Sequence, residues 1–125
     1  MLVHGKSLRE ILLDRDLAKL GDVYLNFAYS LALSMKVGKP TGLRVSNTVL
    51  AGGIRKAGLR GLLPHRLSSH DIGSAGEALA VYGLLKGYIT TEDLVSIIKE
   101  CEDASEAFAR IFEKIIKCED GAGKI

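Results

Sequence analysis

The chain has little of several features that would place it in other classes of protein. Its 125 residues include two prolines and two cysteines. No apolar run approaches the roughly 18 residues that a membrane span needs, and the longest, residues 23–33, is interrupted by Asn26 and Ser30. The first residues are not followed by the apolar segment of a secretory signal. We therefore expect one cytoplasmic domain over residues 1–125, with no membrane partner.

The two cysteines, Cys101 and Cys118, lack the spacing of a metal site, and no pair of histidines lies near them. We interpret them as small apolar residues on C-terminal helices, and we do not expect a catalytic role. A disulfide between them is the alternative, in an oxidising or hyperthermophilic setting.

Acidic residues are absent from residues 23–70, although the whole chain contains 15. Seven of the 17 lysines and arginines fall in this stretch, and His65 and His70 are additional candidate cations. Such an asymmetry favours a polyanionic partner, although a solvated basic face without a partner would have the same composition. The candidate polyanion-binding residues are Lys36, Lys39, Arg44, Asn47, Arg55, Lys56, Arg60 and Arg66.

Helical periodicity dominates the sequence, and no segment alternates in the way that a strand does. The pattern predicts a compact all-α fold without a sheet. Ser7, with Glu10 three residues later, is a capping box for the first helix, while Ser46 caps the third helix and Gly38 ends the second. The predicted helices span residues 8–14, 16–37, 47–57, 71–86, 91–101 and 106–117.

The predicted fourth helix carries a stripe of small residues at steps of three and four. Glycine destabilises a helix by about 1 kcal/mol relative to alanine, so such a stripe indicates that another helix backbone passes close by. We expect this neighbour to be the long second helix, which would bring Glu77 close to it. The stripe consists of Gly73, Gly76, Ala80 and Gly83.

Two isolated acids, Asp22 and Glu77, lie in apolar helical surroundings. An ionised carboxylate near a core is costly unless it is paired or binds a metal. If the second and fourth helices pack together, the two carboxylates converge, and either one is protonated or a cation lies between them. Oxygen ligands favour Mg²⁺ or Mn²⁺, with Asn26 and Ser74, one turn away, as further candidate ligands. The alternative is that each acid only pairs with a base or caps a helix.

Three segments in order resemble the signature segments of ribonuclease III catalytic domains. Residues 17–24 read Leu-Ala-Lys-Leu-Gly-Asp-Val-Tyr, residues 44–51 read Arg-Val-Ser-Asn-Thr-Val-Leu-Ala, and residues 77–79 read Glu-Ala-Leu. The resemblance covers residues 8–89 and is strongest to the Mini-ribonuclease III branch and to short archaeal relatives. Residues 90–125 are then expected to form C-terminal helices, without a double-stranded-RNA-binding domain.

The resemblance implies a Mg²⁺- or Mn²⁺-dependent endonuclease that acts on structured or double-stranded RNA. Asp22 and Glu77 would be the catalytic, metal-binding acids, and the basic middle of the chain would bind RNA phosphates. The family also implies a homodimer joined through the second helix, with Tyr24, Phe27 and Leu31 as interface candidates. Burial of these three residues in the monomer core is the alternative.

The sequence also departs from the family pattern. The family has glutamates four and seven residues before the first acid, where this chain has Ala18 and Arg15. It usually has an aspartate three residues before the second acid, where this chain has Ser74. An inactive RNA-binding or structural protein that retains the fold is therefore the second hypothesis, and a helical protein–protein adaptor is the third.

Overall fold

The protein is an all-helical bundle, as the sequence predicts. The computed structural model describes residues 5–122, and this part of the chain contains no strand. No helix within it is both long and apolar enough to cross a membrane. The helices are α1 (Leu8–Leu12), α2 (Arg15–Val37), α3 (Asn47–Lys56), α4 (Ser69–Leu85), α5 (Thr91–Glu100) and α6 (Ala104–Ala122), with a 3₁₀ turn at Arg60–Leu62.

The helix boundaries follow local capping chemistry. Ser7 and Glu10 form the predicted capping box at the start of α1, and Gly38, with φ of 78°, ends α2 in a left-handed conformation. Asp14 was predicted to lie inside the first helix, which is wrong. Its carboxylate accepts the backbone N–H groups of Asp16 and Leu17, so Asp14 instead caps α2 and separates it from α1.

Two other predicted boundaries also need correction. The fourth helix begins at Ser69 rather than near residue 71, because the Ser68 hydroxyl caps it by accepting the N–H of Asp71. The sixth helix begins at Ala104 and continues to Ala122. The carboxylate of Asp103 accepts the N–H of Ser105, and this contact satisfies a free donor of the first turn.

The central element is α4, which packs against α2, α3 and α6. Ten of its residues are buried, including Ile72 and Leu79. A helix that is apolar around most of its circumference is typical of an element enclosed by others. Because α4 is held from several sides, a residue on its one polar edge, such as Glu77, has a fixed position relative to α2.

The small-residue stripe of α4 does not face α2, so that part of the prediction is wrong. Gly73 lies against Asn47 of α3, while Gly76 and Gly83 lie against Phe112 and Ile115 of α6. The close approach to α2 uses a glycine of α2 instead. A Cβ atom at Gly21 would lie 2.0 Å from the backbone oxygen of Glu77, and Glu77 is therefore next to α2 for a different reason from the one predicted.

Both cysteines are free thiols in the structure. Cys101 is buried and forms the C-cap of α5. Cys118 is half-buried on α6, with its Sγ 3.8 Å from the backbone oxygen of Tyr88. These surroundings agree with the interpretation of the two residues as small apolar side chains.

Replacing Gly21 with alanine should destabilise the protein by about 3 kcal/mol, because the new methyl group would overlap a backbone atom of α4. The free energy of unfolding, measured by urea denaturation, tests this expectation. Gly42→Ala is the matched control, since nothing lies within 4 Å of a Cβ atom at that position. Equal stability of the two variants would show that α2 and α4 are not in backbone contact.

Candidate functional site

A cavity of about 500 Å³ lies between the N-terminal half of α2 and the start of α4. Both isolated acids, Asp22 of α2 and Glu77 of α4, line it. Their positions follow from the packing of the helices, because Asp22 directly follows the glycine that contacts the backbone of Glu77. Other polar residues that line the cavity are Asp14, Arg15, Lys19, His70, Asp71 and Ser74.

The two carboxyl groups interact with each other. The pKa of Glu77 is raised to about 7, first by burial and then by a hydrogen bond with Asp22 and the negative charge of Asp22. The positive charge of Arg44 acts in the opposite direction and lowers this pKa. The structure therefore brings together the two acids that the sequence indicated, and Glu77 carries only part of its negative charge near pH 7.

The side chain of Asp22 is oriented by two neighbours. Asn26 donates a hydrogen bond from its Nδ2 to Asp22 Oδ1 at 2.9 Å. Arg44 places its Nη2 at 3.2 Å from Oδ1 and 3.4 Å from Oδ2. The Oδ1 atom of Asn26 accepts the backbone N–H of Val45 at 2.8 Å, so Asn26 also links Asp22 to the loop of residues 39–46.

The chemistry of the donor set fits one hard divalent cation. Two carboxylates that repel each other provide oxygen ligands, and Mg²⁺ commonly binds to one or two protein carboxylates while keeping several waters. Ser74 lines the same cavity, and its hydroxyl donates to the backbone oxygen of His70 at 3.1 Å, which leaves its oxygen free to accept from a water. Within residues 5–122 no cluster of three or more His, Cys, Asp or Glu side chains is arranged around a common point.

Sequence reasoning missed a row of polar side chains along α2, which we call the polar ladder. Its members bind the loop of residues 39–46, which returns along α2 toward the cavity. Ser34 Oγ accepts the N–H of Thr41, and Ser30 Oγ accepts the N–H of Leu43, both at 2.8 Å. A polar residue at every fourth position of an apolar helix was the available signal. The polar ladder consists of Asp22, Asn26, Ser30 and Ser34.

Besides Arg44, which pairs with Asp22, two of the predicted polyanion-binding cations have partners within the protein. Lys56 lies 2.7 Å from Asp103 and 3.9 Å from Glu106, both of which belong to the α6 region. Arg60 donates from Nη1 to the backbone oxygen of Pro64 at 2.9 Å and thereby holds the turn after the 3₁₀ helix. The sequence could not distinguish such residues from cations that are free to bind phosphate.

The other candidates from the acid-free stretch remain at the surface or near the cavity. Asn47 at the start of α3 contacts His70 of α4, with 3.2 Å between Nδ2 and Nδ1. Arg66 has φ of 62°, a left-handed conformation that is uncommon for a residue other than glycine. The exposed cations are Lys36, Lys39, Arg44, Arg55 and Arg66.

One face of α2 exposes large apolar side chains to solvent, and we call it the α2 apolar face. Val23 is 71% exposed and Phe27 is 59% exposed, so the alternative that this stripe is monomer core is wrong for Phe27 and Leu31. Tyr24 is half-buried instead, and its hydroxyl lies 3.0 Å from Thr91 Oγ1 of α5. The face consists of Leu20, Val23, Phe27, Leu31 and Met35.

The contribution of Glu77 to stability should fall as the pH rises from about 4.5 through about 7. Glu77 titrates near pH 7 in the folded state and near 4.5 when unfolded, so the folded state binds more protons within this window. Across this pH window, the free energy of unfolding of Glu77→Gln should therefore rise by about 1 kcal/mol relative to that of the wild type. This value is already reduced, because Glu77 is partly exposed and water screens its charge. Urea denaturation over a pH series measures the difference. The control variant is Glu113→Gln, because Glu113 is exposed, and its stability should change with pH as that of the wild type does. If the stability of Glu77→Gln also followed the wild type at every pH, the partly buried acid pair would be contradicted.

Comparison with known proteins assigns the family. A search of curated proteins gave no match. A family model described as Ribonuclease III matches residues 15–119. The matched range contains both acids of the cavity, the polar ladder and the helices from α2 to most of α6, and it extends well beyond the segments that carried the resemblance in the sequence. The chain belongs to the ribonuclease III family.

Proposed function

We propose that this protein is a cytoplasmic, divalent-metal-dependent endoribonuclease that cleaves double-stranded or otherwise structured RNA. The observation that carries this proposal is the convergence of Asp22 and Glu77 in one cavity of a ribonuclease III family chain. Perturbed pairs of titratable groups in a cleft are typical of functional sites. The raised pKa of Glu77 supports the same proposal, because a fold that needed only stability would gain little from two repelling acids.

Asp22 and Glu77 would hold Mg²⁺ or Mn²⁺ between them. When bound, such an ion activates a water and stabilises negative charge on the phosphate and the leaving oxygen. Asn26 keeps Asp22 in the orientation that this binding needs, and the Ser74 hydroxyl can accept a hydrogen bond from a water in the cavity. Glu77 would ionise fully in this state, because the charge of a divalent cation would outweigh the burial and the charge of Asp22 that raise its pKa.

The cations around the cavity and on the acid-free stretch would bind the RNA backbone. Arg15, Lys19 and His70 line the cavity itself and are suited to hold the phosphates next to the cleaved bond. The exposed cations farther away would contact phosphates along an A-form duplex, which is recognised by shape and by its backbone. Affinity from such contacts depends strongly on salt.

The proposed enzyme acts as a homodimer. One protomer has one pair of convergent acids, so cutting both strands of a duplex in one binding event requires two protomers. An exposed apolar stripe along one helix favours self-association through a two-fold interface, in which the same surface serves both subunits. The α2 apolar face is the proposed interface, and it lies on the same helix as Asp22.

A binding protein without nuclease activity is the second candidate function. Asp14 and Asp71 also line the cavity, but among the described residues no third acid joins Asp22 and Glu77 in a group that could hold a metal. Ala18 and Arg15, which precede Asp22 on α2, line the cavity without adding a carboxylate. Two carboxylates bind a divalent ion more weakly than a larger acidic cluster, so the contribution of RNA phosphates to metal binding would decide between the two functions.

Asp22→Asn and Glu77→Gln should each reduce cleavage of a double-stranded RNA by more than about a hundredfold, because either change removes a metal ligand. A gel assay with Mg²⁺ or Mn²⁺, and with EDTA as the metal-free reference, measures the rate. Glu113→Gln should cleave like the wild type. Binding of the duplex should persist in both site variants, so loss of cleavage with retained binding separates catalysis from folding. Wild-type protein that binds the duplex but leaves it uncut in either metal would favour the second candidate function.

Phe27→Glu should convert the dimer into a folded monomer, because it places a charge in the centre of the α2 apolar face. Light scattering coupled to size exclusion measures the mass, and circular dichroism checks that the helices are intact. Leu62→Glu is the control, since Leu62 is exposed but lies on the 3₁₀ turn outside this face. A wild-type monomer at high protein concentration would rule out the proposed interface.

A further inference from the structure

Arg44 occupies the position of a counterion at the proposed metal site. Its Nη2 atom contacts both carboxylate oxygens of Asp22, at 3.2 and 3.4 Å. Its charge also acts on Glu77, where it lowers the pKa against the effect of Asp22. The guanidinium therefore neutralises part of the same acid pair that a divalent ion would neutralise, and the two cations compete for the Asp22 carboxylate.

The backbone on both sides of Arg44 is fixed, although its side chain is free to move. Leu43 is tied to Ser30 of α2 through its N–H, and Val45 is tied to Asn26 in the same way. The Arg44 side chain is 78% exposed, compared with 39% for Asp22. The polar ladder thus holds the Cα atom of Arg44 one side-chain length from the cavity, while the guanidinium can leave Asp22 without any rearrangement of the fold.

We propose that Arg44 is a displaceable counterion that couples metal binding to RNA binding. It pairs with Asp22 while the site lacks a metal, and an arriving divalent ion releases its guanidinium to bind an RNA phosphate. The proposal rests on the function proposed above and concerns the regulation of that site. The guanidinium fork matches the geometry of a phosphate, and by linkage a phosphate that draws Arg44 away must also favour the metal.

The weakness of the pair makes this exchange possible. Exposed pairs of arginine and carboxylate contribute little because water screens them and the side chains lose freedom. A typical exposed pair corresponds to a change of about two- to fivefold in an equilibrium constant. Displacing Arg44 therefore reduces metal affinity only slightly, whereas a buried ion pair would have blocked the site.

The other cations of the cavity provide the comparison. Arg15 and Lys19 line the cavity, but among the described residues Arg44 is the one that forms a salt bridge with Asp22. Removing Lys19 changes the local charge by the same amount as removing Arg44, without breaking a contact with Asp22. Lys19→Gln thus separates the general effect of a positive charge from the specific competition by Arg44.

The first experiment measures Mn²⁺ binding to the RNA-free protein by electron paramagnetic resonance. Arg44→Gln should bind Mn²⁺ about two- to fivefold more tightly than the wild type, and Lys19→Gln should show a smaller gain. If wild type and both variants bind Mn²⁺ and Arg44→Gln is no tighter than Lys19→Gln, the counterion proposal is overturned while the metal site stands. If none of the three proteins binds Mn²⁺, the counterion proposal is overturned, and the cleavage assay with duplex RNA decides the metal-dependent function separately.

The second experiment measures binding of a short RNA duplex in EDTA, where no metal is present and no metal-dependent cleavage occurs. Asp22→Asn should free Arg44, strengthen binding and steepen the dependence of affinity on salt by about one phosphate contact. The same substitution in an Arg44→Gln background reports only the loss of a negative charge near the RNA. If Asp22→Asn strengthens RNA binding more in the presence of Arg44 than in the Arg44→Gln background, the proposal is supported. If the effects of the two substitutions on RNA affinity are additive in this double-mutant cycle, the proposal is overturned.

Discussion

The contact between the backbones of α2 and α4 at Gly21 and Glu77 determines the rest of the site. A side chain at residue 21 would overlap the backbone oxygen of Glu77, so only glycine permits this distance between the helices. The next residue of α2 is Asp22, and its carboxylate therefore reaches the side chain of Glu77 across the interface. On its other sides α4 is held by α3 and α6, partly through glycines of its own. The acid pair is thus a consequence of helix packing.

The convergence of Asp22 and Glu77 lowers the stability of the fold, because the two carboxylates repel each other. The surrounding residues reduce this loss of free energy. Burial and the contact with Asp22 shift the pKa of Glu77 to about 7, so that a proton on Glu77 relieves part of the repulsion near neutral pH. Asn26 and Arg44 supply donors to Asp22. Each of these responses is partial, since Glu77 remains close to its titration point and Arg44 remains exposed. Such a balanced pair of acids suits the divalent ion that we propose for this site.

Much of the fold could be predicted from the sequence, because caps and periodicity are local signals. The capping box at Ser7 and the left-handed stop at Gly38 lie where the pattern indicated. The partner of the α4 small-residue stripe could not be predicted, because periodicity shows which face of a helix is buried but not which neighbour buries it. Asp14 was misassigned for a related reason, as an aspartate can extend one helix or cap the next.

Of the candidate site, only the two acids could be predicted from the sequence. Asp22 and Glu77 stood out because charged residues are rare in apolar helical segments, but the polar ladder depends on a loop that returns along α2, and its contacts join residues that are distant in sequence. Composition also overestimated the free positive charge, since Lys56 and Arg60 serve contacts within the protein. What the acid-free stretch contributes next to the acid pair is Arg44, which the ladder holds in place. Next to the acid pair, the charge asymmetry of the sequence is therefore represented by one residue, whose neighbouring backbone is held by hydrogen bonds and whose side chain is exposed.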